Sequence, residues 1–254
     1  MKNILRRFSS IDNKELIKFN TTNDWWNPNG SMKALHAYNK TRIEFIKRLL
    51  IRKNKAASDF YFMKYNSVLD VGSGGGLLSE ALANLGANVK GIDANPNSTK
   101  ISQEHLSEYS PHLTTRLNYE CNTLEDHVSK NTHNKYDIIT AMEIVEHIND
   151  LPQFFENLSN ALDDDGIIIL STLNKNFVSY LFNIVAAEYI MGLLPKGTHD
   201  YNKFLLPEEL ISYAKKVDLQ LLALDFNLYD PISNQFYRDI IFKTNYLIAF
   251  EKFK

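Results

Sequence analysis

The sequence predicts an α/β fold, a doubly wound, mostly parallel seven-stranded sheet with helices on both faces. Three observations predict it. The stretch Ser67-Val-Leu-Asp-Val-Gly72-Ser-Gly-Gly-Gly76 runs on into Leu77-Leu-Ser-Glu-Ala81. It reads as a buried strand, a turn that only glycine folds so tightly, and a helix start whose free N–H groups face a ligand. A second strand, Asn88-Val-Lys-Gly-Ile-Asp93, ends in an acid about twenty residues further on, where such a sheet places a ribose-binding carboxylate. The run Ile167-Ile-Ile-Leu-Ser-Thr172 is unbroken and mostly apolar, as expected of a strand covered on both faces. A nucleotide-type cofactor is therefore expected at the glycine turn.

The remaining elements follow in order. Residues 12–55 read as helical and basic, with an apolar stripe of Ile43, Ile46, Leu49 and Leu50 ringed by Arg42, Lys47, Arg48, Arg52 and Lys53. After Asp93 an asparagine/proline turn opens a polar helix near 97–108. Leu117–Cys121 and Tyr136–Met142 read as the third and fourth strands. Leu151–Leu162 is an amphipathic helix through Phe154, Phe155, Leu158 and Leu162, stopped by Asp163-Asp-Asp-Gly166. Pro207 in a first turn, Glu208 and Glu209 beside it, and Lys215-Lys216 at the far end mark another helix. Two late strands, about 219–228 and 240–251, finish the sheet. No repeat, linker or low-complexity run interrupts residues 12–254, which form one domain.

The 254 residues, 44% hydrophobic and 23% charged, suit one globular α/β domain with additions. Cys121 is the single cysteine, so no intrachain disulfide forms. Residues 1–60 hold thirteen Lys/Arg against five Asp/Glu, and the rest fifteen against twenty-five. A basic arm over 12–60 thus precedes an acidic body and suits an anionic membrane surface. Without an aromatic-interleaved basic patch elsewhere, nucleic acid is not an expected partner. Residues 1–11 carry Lys2, Arg6 and Arg7 and no acid, a composition expected of a mitochondrial targeting segment. The segment 177–195 contains one charge, Glu188. It reads either as a core helix or as an apolar lid with membrane contact, and the lid is the expectation carried forward.

Gly72, Gly74 and Gly76 give G-x-G-x-G, and Leu77 occupies the last position of the dinucleotide pattern G-x-G-x-x-G. With Asp70 two residues ahead, the loop resembles that of class I, Rossmann-like methyltransferases that use S-adenosylmethionine (SAM). The resemblance implies glycines that let the backbone approach the methionine part, and Asp93 on the ribose hydroxyls.

Met142-Glu-Ile-Val-Glu-His147 puts Glu143, Glu146 and His147 at i, i+3 and i+4, so that a helical turn would converge them on one side. Two carboxylates and an imidazole suit a divalent ion, with Mg²⁺, Mn²⁺, Zn²⁺ and Fe²⁺ all open chemically. A solvated capping cluster is the plainer reading. A phenol has a pKa near 10 and is mostly neutral at physiological pH. A dication chelated by a catechol would stabilise the phenolate, so the cluster favours O-methylation of a vicinal diphenol over methylation of an amine or carbon.

Three stretches together resemble the ubiquinone-biosynthesis O-methyltransferase family, mitochondrial type. They are Asp24-Trp-Trp-Asn27; the glycine loop with Met142-Glu-Ile-Val-Glu-His147; and Ser171-Thr-Leu-Asn-Lys-Asn176 running on to Ala187-Glu-Tyr-Ile190 and Pro195-Lys-Gly-Thr-His-Asp200. The similarity covers roughly residues 15–215. It implies a SAM enzyme acting on polyprenylated catechols at the matrix side of the mitochondrial inner membrane, peripherally and among other proteins of that pathway. It further implies SAM contacts at Arg42, Gly72, Asp93 and Met142, with Gly74 in the same loop, and a divalent ion, Mg²⁺, on Glu143, Glu146 and His147. Ser73 departs from the family, which usually has cysteine there. No catalytic base is assigned; His199 and Asp200 read equally as a base pair near the substrate or as loop-stabilising residues. Trp25 and Trp26 read as packing residues. The competing readings are a SAM-fold scaffold subunit of a membrane-attached complex and a methyltransferase for a soluble small molecule.

Overall fold

The computed structural model of the chain describes residues 24–55, 61–63, 66–175 and 203–253. The targeting segment 1–11, the lid 177–195, His199 and Asp200 lie outside the described residues, as does much of the basic arm.

Helix α1 (Lys33–Arg52) buries Tyr38, Phe45, Ile46, Leu49 and Leu50 along one face. The α/β core follows as β1 (Ser67–Val71), α2 (Leu77–Asn84), β2 (Asn88–Asp93), α3 (Pro96–Tyr109), β3 (Leu117–Cys121), α4 (Leu124–Lys130), β4 (Tyr136–Met142), α5 (Leu151–Ala161) and β5 (Leu162–Leu173). It ends with α6 (Pro207–Lys215), β6 (Leu219–Asp230), β7 (Gln235–Arg238) and β8 (Asn245–Lys252). Caps start the helices locally. The Asn95 side chain accepts from the N–H groups of Asn97 and Ser98, with Pro96 in the first turn of α3. Thr123 caps α4 and Asp150 caps α5 in the same way.

The strands form one sheet in the order β3-β2-β1-β4-β5-β8-β6-β7. The first five pair in parallel; β8, β6 and β7 join antiparallel. The chain runs outward from β1 in both directions, so the order reverses between β1 and β4, where open α/β sheets bind ligands beyond the strands' carboxyl ends. One core layer holds α1 and α2 against Val68, Ile138, Ile167 and Ile169. The other holds α5 and α6 against Leu69, Ile139, Ile168 and Leu170.

The sheet has eight strands, not seven. The expected late strand at 240–251 begins only at Asn245, as β8, after a loop, and the additional strand is β7 (Gln235–Arg238), the hairpin partner of β6. Strand β5 begins earlier than expected, at Leu162, and α4 was not anticipated.

Candidate active site

The carboxyl ends of β1, β2, β4 and β5 surround a cavity of about 650 Å³. The glycine loop closes one end of it. Gly72, Gly74 and Gly76 have φ of 71°, 53° and 93°, which side-chain-bearing residues rarely adopt. The N–H groups of Gly72 and Ser73 donate to the Ile92 carbonyl at 2.8 and 3.0 Å, tying the loop to β2. Asp93 accepts from Gly74 N at 2.8 Å and from Asn95 N at 2.7 Å. Each of its oxygens keeps a second lone pair, as a ribose diol requires. Burial pushes the Asp93 carboxyl pKa up, and the two N–H bonds pull it back.

The tryptophans act directly on this loop. The Trp25 ring lies against Gly74 and Gly75, where any Cβ would collide with it. The Trp26 indole donates to the Gly75 carbonyl at 2.9 Å and stacks on His105 with ring centroids 3.5 Å apart. His105 Nδ1 in turn meets Glu80 Oε1 at 2.8 Å. Beneath the loop, buried Asp70 accepts from Ser79 Oγ and Thr140 Oγ1, each at 2.6 Å.

Arg42 is buried, although composition placed it among the exposed basic residues of α1. Its guanidinium lies over the Tyr38 ring, 4.7 Å from the centroid, and 3.7 Å from the Glu143 carboxylate. Buried Met142 lines the cavity beside it. Arg42, Gly72, Gly74, Asp93 and Met142 are therefore gathered around one cavity, with Glu143, Glu146 and His147 in its wall.

The last three do not converge as a helical turn would have them. Glu143 takes a left-handed conformation, φ 54°, and only Val145–His147 form a short 3₁₀ turn. Ser171 Oγ donates to Glu143 Oε1 at 2.7 Å and Thr172 Oγ1 to Glu146 Oε2 at 2.8 Å. Ser171 and Thr172 are successive residues of β5, so their side chains leave opposite faces of the sheet, and each holds one carboxylate. Among the described residues no three His, Cys, Asp or Glu side chains are gathered as a metal-ligand set. The donor types suit a dication; as placed, the two carboxylates are engaged by hydroxyls of β5.

Residues 34–230 match the family described as Methyltransferase domain. A ubiquinone biosynthesis O-methyltransferase of Coxiella burnetii (strain RSA 331 / Henzerling II) is 39% identical over 242 residues, 95% of this chain and 96% of that protein. One from Pelagibacter ubique (strain HTCC1062) is 40% identical over 245 residues, 96% of this chain and 99% of that protein. The chain belongs to the ubiquinone biosynthesis O-methyltransferase family.

Solved structures share the fold of this family member. Magnesium protoporphyrin IX methyltransferase from Synechocystis PCC 6803, with bound SAM, superposes with a TM-score of 0.55 at 14% identity, covering 94% of this chain and 90% of its own. A SAM-dependent methyltransferase from Clostridium acetobutylicum ATCC 824 gives 0.56 at 17% identity, covering 87% and 98%. The chain is a SAM-dependent O-methyltransferase. Sequence reasoning missed the aromatic side of the cavity, formed by Tyr38, Tyr229 and Phe236. The last two sit on a hairpin whose short strand β7 carries little periodic signal.

Proposed function

We propose that this enzyme methylates a ring oxygen of a polyprenylated catechol on the route to ubiquinone. What carries the reading is kinship over nearly the whole chain with enzymes named for that pathway. One cavity supports it by joining the glycine loop and Asp93 to an aromatic wall of a size and character suited to a ring. The transfer is an in-line displacement. A ring oxygen attacks the methyl carbon, the carbon–sulfur bond breaks with its electron pair passing to sulfur, and the phenol proton passes to water. The chain supplies chiefly position: the glycine loop and Asp93 would hold the cofactor, with Arg42 and Met142 in the wall of the same cavity.

A divalent ion, Mg²⁺, held by Glu143, Glu146 and His147 is the finer part of the proposal. Such an ion would lower the pKa of a catechol hydroxyl and fix its orientation. It would require both carboxylates to leave their bonds to Ser171 and Thr172.

Methyl transfer from labelled SAM to a short-tailed prenyl catechol tests both parts. Turnover abolished by EDTA and restored by Mg²⁺ is expected. Turnover indifferent to chelation removes the ion, and SAM binding without turnover overturns the acceptor.

We also place the enzyme peripherally at the matrix side of the mitochondrial inner membrane, beside other proteins of the pathway. The acid-free segment 1–11 and the basic arm support this placement. No helix among the described residues is long and apolar enough to cross a membrane. Import into isolated mitochondria with protection from added protease is expected; protein left outside and digested would refute the placement.

A further inference from the structure

The cofactor half of the cavity is accounted for by β1, β2 and β4, but its far wall comes from α1 and the last three strands. There a column of rings is built. The Arg42 guanidinium lies over Tyr38, the Tyr38 ring stacks on Phe236 at 4.1 Å and 17°, and Phe236 meets Tyr229 at 4.9 Å. Tyr229 pairs directly with Phe236 across the β6–β7 hairpin, which sets their spacing. Hydrogen bonding of the Tyr229 hydroxyl to Asn234 Oδ1 at 2.9 Å fixes the hairpin end of the column.

Asn245, the first residue of β8, stands beside this wall. It pairs with Asn227 of β6 and Leu173 of β5, so its side chain shares the sheet face of Tyr229 and Phe236. The residue is buried and lines the cavity, yet its Oδ1 has no hydrogen-bond partner among the described residues. A buried acceptor left without a donor is costly, so a group entering the cavity is expected to supply one.

We infer that Asn245 and the Tyr38–Phe236–Tyr229 column form the acceptor-ring subsite. The column packs the flat ring, and Asn245 Oδ1 accepts a hydrogen bond from a ring hydroxyl. The substrate class is therefore an aromatic ring that still bears at least one free hydroxyl. This rests on the catechol reading above and adds the residues that select for it. Asn245 binds and orients; it takes no proton.

Equilibrium binding measured by calorimetry with S-adenosylhomocysteine (SAH) present keeps the subsite separate from turnover. The probes are a short-tailed prenyl catechol and its dimethoxy counterpart, whose ring oxygens cannot donate. Wild type is expected to bind the catechol about tenfold more tightly, the scale of one buried hydrogen bond. Asn245→Ala should erase that preference while SAH affinity stays within about twofold, which controls for folding. Phe236→Ala, on an edge strand, should weaken both probes about tenfold and leave their ratio unchanged. A catechol preference that survives in Asn245→Ala, or probe affinities that Phe236→Ala does not move, would overturn the subsite. A wild type that binds the catechol with these responses but never methylates it supports the subsite and defeats the catalytic reading alone. Absence of binding by either probe overturns both.

Discussion

Asp70 shows what the glycine loop costs at the level of one side chain. Its carboxyl is buried, and burial pushes its pKa up despite bonds from Ser79 and Thr140 and the charge of Arg42. The folded chain therefore holds a proton on Asp70 at pH values where the unfolded chain, titrating near ~3.9, does not. Through that window the contribution of Asp70 to stability grows as the pH falls, the reverse of a salt-bridged carboxylate. Urea unfolding of wild type and Asp70→Asn at pH 7 and pH 4.5 checks the sign. The wild type should gain relative to the variant on acidification, and a difference that stays constant would refute the assignment. Arg42 makes a related point. On α1 it looks like one more exposed base, and only the resemblance marked it; its burial beside Tyr38 depends on partners in β7 that lie far along the chain.

At the scale of elements, the segment preceding α1 clamps the cofactor loop. Gly75 carries no unusual φ, so a methyl there is opposed by Trp25, whose ring lies nearest and whose Cβ lies at 2.6 Å. We expect Gly75→Ala to cost about 1–3 kcal/mol of stability, and the cost to shrink, though not to zero, when Trp25 is already alanine, because the Trp25 Cβ remains. A double-mutant cycle of chemical denaturation reads that coupling; additive effects would show that the ring is not the obstacle. The loop, β1, β2 and Asp93 were legible because a glycine spacing, an apolar run and a terminal acid all lie within one stretch of chain. The late strands were less so. Ile240-Ile241-Phe242 has a strand's composition, but the Asp239 carboxylate accepts from the N–H groups of Ile241, Phe242 and Lys243 at 2.8, 3.1 and 2.6 Å and holds them in a turn. At Glu143, Glu146 and His147 the structure departs from the expected helical turn for a similar reason. Local periodicity promised a helical face, and hydroxyls on opposite faces of β5 took the carboxylates instead.

For the molecule as a whole, cofactor binding and folding are one equilibrium. Because Asp93 and the glycine loop exist as a site only in the folded chain, SAH at a hundred times its Kd should add about 2.7 kcal/mol of stability. For a chain of this size that corresponds to a rise in Tm of roughly 5–11 °C. Thermal unfolding with and without SAH measures it, and Asp93→Ala should lose most of the shift. An unchanged Tm would mean that the loop does not hold the cofactor. The sheet order carries a consequence for synthesis. Strand β8, made after β5, β6 and β7, lies between β5 and β6. Until it leaves the ribosome, β5 has an open edge, β6 and β7 have nothing to join, and the ring column against Tyr38 cannot assemble. A chain that lacks β8 would expose sticky strand edges rather than a slightly smaller enzyme, so that one strand decides whether the chain folds or aggregates.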